Sequence, residues 1–375
     1  LHKTLAYLRS FVILASAESV ALLQEAIMRA EQSNPTNRRM RQREIAERAG
    51  VSISTVSRVL NNVSGISSTL QQRVLAAASE LGYPISVDRR TSRLQNVALY
   101  TYLPAAPSLD PFHGDVLNGV EAECGRQGIH LTYASISKLQ LSPEHLIERL
   151  RQNPVDGLIL MSVDDPELTR QLMTINQQIV MLNVDQRELP LDTFLPDNHY
   201  GALLATRHLI ANGHRRIAHI TWFERRTIRR RYEAYKLALA EADIPYDPGL
   251  IIEARINAEN AYEALRKRLA TQELDFTAVF CANDIAAIGA MRALQEVGLR
   301  IPDDVSIVGF DDLATTAFLS PPLTTVRIER EELGALAVRR LIERSNTPNL
   351  TPIRVEIAAR LVERQSVARA KARRK

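Results

Sequence analysis

Between Gln42 and Asn61 the chain reads QREIAERAGVSISTVSRVLN, a string whose apolar residues Ile45, Ala49, Val51, Val56, Val59 and Leu60 suit two short helices packed together. Ala46 and Ala49 are small enough for a second helix to approach closely, and Gly50 supplies the positive φ that a tight inter-helix turn needs. Val51 fills the angle. Ser52 is placed to cap the second helix, its hydroxyl taking an orphan backbone N–H. A third helix is expected after Ser67, with Val74, Leu75, Ala78 and Leu81 as its buried stripe and Gly82 as its end, closing a three-helix core.

The second helix surrounds an inward pair, Val56 and Leu60, with short, polar or basic residues. Hydroxyls at Thr55 and Ser57 suit phosphate oxygens, Ile53 and Ser54 at the helix start suit base edges in a major groove, and Arg58 can meet a guanine bidentately. Charge supports this reading. The net charge of +4 is distributed as 0 over residues 1–37, +6 over 38–96 and −2 over 97–375, and a basic head on a nearly neutral body is the footprint of a phosphate-binding module.

The string EIAERAGVSISTVSRVLNN, followed by Ser67 and by RVLAAASELGY, resembles the DNA-binding domain of the lactose-repressor (LacI/GalR) family. The resemblance implies that Ile53 and Ser54 discriminate operators and that Arg58 contacts a base or phosphate. Ser52, Thr55, Ser57 and Asn61 are then phosphate contacts or supports. The linker departs from the family pattern, in which a hinge helix inserts a leucine into the minor groove. LGYPISVDRRTSRLQN lacks the alanine of that pattern and is shorter, which leaves Leu94 as the remaining wedge candidate and Arg89, Arg90 and Arg93 as contacts to the backbone or a narrow minor groove. A plain basic tether is the alternative.

From Asn96 onward, apolar runs alternate with amphipathic stretches: VALYTY, GLILM, IVML, IAHIT, AVFC and VSIVGF are expected strands, and residues 116–127, 200–212, 231–241 and 284–297 expected helices. This is the signature of βαβ units, whose ligands sit at the carboxyl ends of strands. The resemblance continues through PDNHYGALLATRHLIANGHRRIAHI, CANDIAAIGAMRALQEVGLRIPDDVSIVGFDD and PPLTTVRIEREELGALAVRRLI. It covers about residues 41 to 365. It implies an α/β fold: an N-terminal three-helix helix-turn-helix head plus two Rossmann-like lobes of the periplasmic-binding-protein type, joined by three crossovers around a ligand cleft.

The expected organisation is an appendage of unassigned role at 1–37, a helix-turn-helix domain at 38–84, a basic linker at 85–96, an effector-binding and dimerisation domain at 97–365 and a basic tail at 366–375. Lobe 1 is expected at about 97–195 and 329–350, and lobe 2 at about 196–328 and 351–365. By resemblance, Arg231, Asn283 and Asp311 bind the effector; guanidinium, amide and carboxylate together suit a hydroxylated ligand such as a sugar. Phe112, His113 and Val116 are expected to line the opposite wall, and Asn183 stands where the family often has aspartate. The Arg225 to Arg230 run reads as a solvated charged face rather than an anion site.

The mechanism that the resemblance implies places two heads of a homodimer on the half-sites of a two-fold operator, and no cofactor is implied. His208, His214 and His219 do not fall at a metal-ligand spacing. No Gly-x-Gly-x-x-Gly, phosphate loop, His-Glu-x-x-His or Gly-x-Ser-x-Gly motif occurs. Two distant cysteines, Cys124 and Cys281, form no disulfide framework and favour the cytoplasm. Lys3 and Arg9 before an apolar Phe11–Leu14 run and Ala15-Ser16-Ala17 look faintly like a leader, so the alternative is an exported sugar-binding protein. The head and its Ala49-Gly50-Val51-Ser52 turn argue against that.

Overall fold

The computed structural model describes residues 35–60, 68–81, 94–101, 111–136, 143–176, 178–347 and 349–371. The chain divides into two compact units, a head through Arg90 and a body from Thr91.

In the head, α1 (Pro35–Ala49), α2 (Ile53–Leu60) and α3 (Ser68–Glu80) pack around Ile45, Ala46, Ala49, Val56, Val59, Val74, Ala77 and Ala78. The first helix therefore starts inside the segment expected to be an appendage. Gly50 takes φ 63° as expected, and Arg73 on α3 donates to the Ala49 carbonyl at 2.7 Å, tying the third helix to the turn. Leu81 lies past the end of α3 and is exposed, so Ala77, one turn earlier, takes the place expected for it in the core.

The body holds two parallel sheets. In lobe 1, β1 (Asn96–Thr101), β2 (His130–Ser135), β3 (Gly157–Met161), β4 (Ile179–Leu182), β5 (Asp192–Pro196) and β11 (Arg354–Ile357) form a sheet of order β11-β5-β4-β3-β1-β2. Every pairing in it is parallel. Its helices are α4 (Pro111–Gln127), α5 (Pro143–Gln152), α6 (Pro166–Met173) and α11 (Arg330–Asn346). Lobe 2 has α7 (Asn198–Ala211), β6 (Ile217–Thr221), α8 (Arg226–Glu241), β7 (Ile251–Glu253), α9 (Ala258–Thr271), β8 (Ala278–Cys281), α10 (Asp284–Glu296) and β9 (Ser306–Val308), with sheet order β7-β6-β8-β9. An antiparallel pair, β10 (Thr325–Arg327) and β12 (Arg360–Val362), completes it. Central strands such as GLILM and IVML are buried along their whole length because helices cover both sheet faces.

The chain crosses between lobes after β5, after β10 and after β11, giving the three expected crossovers. Two expected boundaries move. Residues 354–357 pair with β5 and so belong to lobe 1, not to lobe 2. The expected tail is part of lobe 2 at least to Ala370: Ser366 is fully buried, its hydroxyl donates to the Ile307 carbonyl, and Ala370 N–H reaches the Asn212 carbonyl at 2.8 Å. Leu94 is also relocated. It is 1% exposed, inside the lobe 1 core against Gly157 and Leu341, so it anchors the body instead of offering a wedge to DNA.

Helix α11 returns to lobe 1 from lobe 2 and lies across α4 at a glycine contact: a Cβ on Gly334 would sit 2.1 Å from the Val116 carbonyl oxygen, and one on Gly119 would sit 1.9 Å from that of Glu331. Arg340 and Arg344 then pin α11 to the buried carboxylate of Asp192 on β5. Gly334→Ala is accordingly expected to lower stability by about 1–3 kcal/mol through overpacking, as measured by denaturant unfolding.

In lobe 2, His219 is fully buried, stacked on Phe280 at 4.6 Å between ring centroids, with Nδ1 2.9 Å from the Phe280 carbonyl. Burial lowers its pKa to about 4 from the ordinary 6.5. The unfolded chain therefore takes up this proton at a higher pH than the folded one, so the stability is present above pH 6.5 and is lost as pH falls toward about 4. His219→Gln should flatten the acid limb of stability between pH ~7 and ~4.5 by roughly 3 kcal/mol; equal pH slopes in urea titrations of the two proteins would contradict this.

Candidate functional site

Two surfaces carry the residues singled out by the sequence. On the head, Ser52 Oγ accepts the Thr55 N–H at 3.1 Å, which makes it the N-cap of α2 as expected. Its hydroxyl also lies 2.7 Å from Ser54 Oγ and 2.8 Å from Thr55 Oγ1, so three hydroxyls form one chain at the helix start. Ser52, Ile53, Ser54 and Arg58 are exposed and Thr55 and Ser57 half-buried. Ile53, at 44% exposure, is an apolar group held out to solvent next to a polar row, as a surface that meets base edges requires. Val56 and Val59 face inward. A shallow groove between α1 and the start of α2, lined by Arg43, Glu47 and Val51, runs alongside. Asn61, Arg89, Arg90 and Arg93 lie outside the described residues, as does the Leu60 side chain.

In the body, the carboxyl ends of the two sheets face each other. On lobe 1, Thr101 ends β1, Ser162 follows β3 and Asn183 follows β4, on adjacent strands. Ser162 and Asn183 take φ of 58° and 53°, a left-handed bend that side chains adopt only where the surroundings hold them to it. Asn183 Nδ2 donates to Ser162 Oγ at 3.1 Å, and that oxygen lies 2.8 Å from His113 Nε2. His113 is thus brought to Asn183, although the two are far apart in sequence. Phe112 packs edge-on to His113 at 5.4 Å between centroids. Val116 is different: it is fully buried in the lobe 1 core, its carbonyl oxygen against Gly334 of α11. It is core and not a cleft wall.

On lobe 2, Arg231 of α8 is 3% exposed. Its Nε donates to Asn198 Oδ1 at 2.9 Å, Nη1 donates to the Ala282 carbonyl, Nη2 lies 3.6 Å from Asp311 Oδ1, and the guanidinium stacks 3.6 Å over the Phe310 ring. Burial lowers its pKa to about 10 against the pull of Asp311, which leaves it cationic at neutral pH. Asp311 itself adopts φ 116° directly after the β9 run. Asn283 caps α10, accepting the Ala286 N–H at 2.8 Å and donating to the Ile256 carbonyl at 3.0 Å. One amide N–H and one lone pair remain for a ligand. Asp284 and Asp312 serve the fold, the first accepting from Leu313 N and Thr325 Oγ1, the second from Arg327 and Arg364.

The sequence reading missed three features. Asn198, immediately after the Pro196-Asp197 turn, orients Arg231. Buried polar atoms without a hydrogen-bond partner gather at the strand ends: Thr101 Oγ1, Asp164 Oδ1, Asn183 Oδ1 and Thr221 Oγ1. Arg225, Arg226 and Arg230 are not a solvated face. They cross the cleft to Asp164 at 3.1 Å, Glu188 at 2.7 Å and Asp185 at 2.9 Å. Among the described residues no His, Cys, Asp and Glu group could hold a metal ion, and no helix is long and apolar enough to cross a membrane.

Comparisons with known proteins find relatives of both the head and the body. Residues 43–84 match the family model of bacterial regulatory proteins, lacI family, and residues 206–367 match a periplasmic binding protein-like domain. The ribose operon repressor of Haemophilus influenzae (strain ATCC 51907 / DSM 11121 / KW20 / Rd) is 35% identical over 308 residues, covering 82% of this chain and 92% of the relative. Two solved structures are similar. One is a complex of the transcriptional regulator CelR with cellobiose, with 29% identity, a TM-score of 0.68 and coverage of 87% of this chain and 99% of that one. The other is a lac repressor dimer bound to operator and the anti-inducer ONPF, with 25% identity, a TM-score of 0.66 and coverage of 86% and 98%.

Replacing Arg231 by alanine removes one partner of a buried ion pair and the donor to Asn198 and Ala282, a change that typically costs about 3–5 kcal/mol. The expected result is a lowered melting temperature together with lost effector response, whereas a variant as stable as the parent would show that the pair is not what holds the cleft floor.

Proposed function

Because this chain belongs to the lacI family of bacterial regulatory proteins, we propose that it is an operator-binding transcriptional repressor whose hold on DNA is set by a small carbohydrate-like effector in the body's cleft. The observation that carries the DNA-binding half is the exposed start of α2: Ser52 spends its hydroxyl on the helix cap while Ile53, Ser54 and Arg58 stay free of the core. Ile53 and Ser54 read the bases, Arg58 meets a base or a phosphate, Thr55, Ser57 and Asn61 hold phosphates with Ser52 supporting them as the helix cap, and Arg89, Arg90 and Arg93 add charge along the backbone.

The effector half rests on the facing strand ends, with Arg231, Asp311, Asn283, Asn183, His113 and Phe112 as contacts. A hydroxylated ligand supplies donors to buried acceptors and acceptors to the remaining amide N–H. The relative bound to cellobiose and the operator-bound dimer support a sugar effector and a homodimer on a two-fold site. Lobe closure on the ligand shifts the population of a DNA-competent dimer. The repressor relatives support a chain that acts by binding, without catalysis, in the cytoplasm. An exported transport protein would have no use for a capped recognition helix.

The test is retention of fragments from the gene's own neighbourhood in gel-shift assays at several salt concentrations. Arg58→Ala is expected to weaken operator binding by ~1–3 kcal/mol if it reads a base, with relaxed preference at that position. Loss of all retention for the wild-type protein at low salt would sink the function, and an unchanged footprint for the variant would remove Arg58 from the interface.

A further inference from the structure

The arginine-rich segment before the cleft floor presents Arg225, Arg226, Arg229, Arg230 and Arg231 within seven residues, which on charge alone would make the cleft a phosphate site. The pairing says otherwise. Arg225 Nε is 3.1 Å from Asp164 Oδ2, and its Nη2 donates to the Asn183 carbonyl at 3.0 Å. Arg226 meets Glu188, and Arg230 bonds both Asp185 at 2.9 Å and Glu233 at 3.0 Å. Arg231 faces Asp311. Arg229 is exposed and donates to the Phe223 carbonyl.

Asp185 is the hub. It is 5% exposed and takes Arg230 from lobe 2 together with Arg187 at 3.3 Å and Arg354 at 3.0 Å from lobe 1. Burial alone would raise its pKa, but the Arg230 hydrogen bond and the three guanidinium charges outweigh this and hold it below the usual carboxylate range. The acidic partners Asp164, Asp185 and Glu188 all come from lobe 1, and each of them pairs with an arginine of lobe 2: Arg225, Arg230 and Arg226 respectively. Each cross-cleft guanidinium therefore already has a carboxylate in hydrogen-bond reach.

What is left over along the same edges is of the opposite kind. Asp164 Oδ1 and Asn183 Oδ1 are buried acceptors with no donor, and Thr101 and Thr221 add hydroxyls without partners. A phosphomonoester dianion brings only acceptors at its phosphoryl end, so that end would leave Asp164 Oδ1 and Asn183 Oδ1 unsatisfied where it met them and would have to displace a carboxylate to gain a guanidinium. A polyol brings donors to those oxygens at no such cost.

We propose that Asp164, Asp185 and Glu188 are specificity-determining residues: by neutralising Arg225, Arg226 and Arg230 from across the cleft they restrict the effector to an uncharged, hydroxyl-rich molecule and reject its phosphorylated counterpart. The proposal rests on the cleft being the effector site and names the ligand class that site accepts. The same bridges clasp the lobes together, so the selective groups act in the closed form.

The experiment compares inorganic phosphate, glucose 6-phosphate and ribose 5-phosphate with glucose and ribose, at matched ionic strength, by thermal shift and equilibrium dialysis on the full chain. For the wild type, no phosphorylated compound should stabilise more than its parent sugar, and inorganic phosphate should stabilise no more than chloride. Asp185→Asn removes the carboxylate shared by Arg187, Arg230 and Arg354, leaving Arg230 with Glu233 and Arg354 with Glu356, and should raise affinity for inorganic phosphate by roughly tenfold. Glu188→Gln, at a partly exposed position that folding tolerates, should raise it more modestly. Wild-type preference for a phosphorylated compound, or folded variants with no gain for phosphate, would overturn the proposal. Operator retention measured on the same preparations separates the two readings, since a phosphate preference with operator binding intact removes only the ligand class.

Discussion

A guanidinium removed from water costs several kcal/mol unless every face of it is answered, and Arg231 imposes that demand on lobe 2. Its four partners come from three separate places: Asn198 at the start of α7, the Ala282 carbonyl past β8, and Phe310 and Asp311 past β9. None of these is local to α8. Satisfying one side chain thus fixes the mutual positions of two strand ends and two helix starts, and those are the pieces that form the cleft floor. The pair is worth little as net stability, since burial offsets attraction. Its effect is to specify geometry.

Lobe 1 solves a different problem, because its closing helix arrives only after both sheet and helices of lobe 2 have been traversed up to β10. The glycine contact of α4 with α11 gives that helix a unique seat, and the buried Asp192, reached by Arg340 and Arg344, keys it to the sheet. With β11 added beyond it, the sheet of lobe 1 is completed only once the chain has left after β5 and returned after β10. The lobes are therefore separate cores built by interleaved chain, which keeps each core stiff while leaving the crossovers to take up relative motion.

Arg330 lies at one of these crossovers and joins the two solutions. It donates to the Asp311 and Asp312 carbonyls on the lobe 2 side and pairs with Asp115 of α4 at 2.8 Å on the lobe 1 side. Asp115 stands two residues after His113, the wall residue tied to Ser162 and Asn183. Floor and wall of the cleft thus share a charged connector, so a ligand that draws Asp311 and one that draws His113 bias the same element. Two-lobed sensing requires such a shared element, since a ligand shifts an equilibrium only through contacts that differ between its states.

How much of this was legible in the sequence follows from where each residue's physics resides. The head was readable because its constraints are local: Gly50 needs its φ, Ser52 caps three residues on, and Ile45, Ala49 and Val56 of one core lie within twelve residues of sequence. The buried strands GLILM, IVML, IAHIT and AVFC were readable because a strand covered on both faces is apolar without interruption. Strand β2, with its alternating burial, and the three-residue β7 at a sheet edge carry no such run. Leu94 and Val116 were misplaced because a leucine after three arginines and a valine one turn past a wall residue differ from their neighbours only in which way the chain later folds. The arginine run shows the limit most clearly. Its charge was plain, but its meaning lay in Asp164, Asp185 and Glu188, some forty to sixty residues earlier on the other lobe, and no spacing rule links a guanidinium to a carboxylate across a cleft that the sequence has not yet closed.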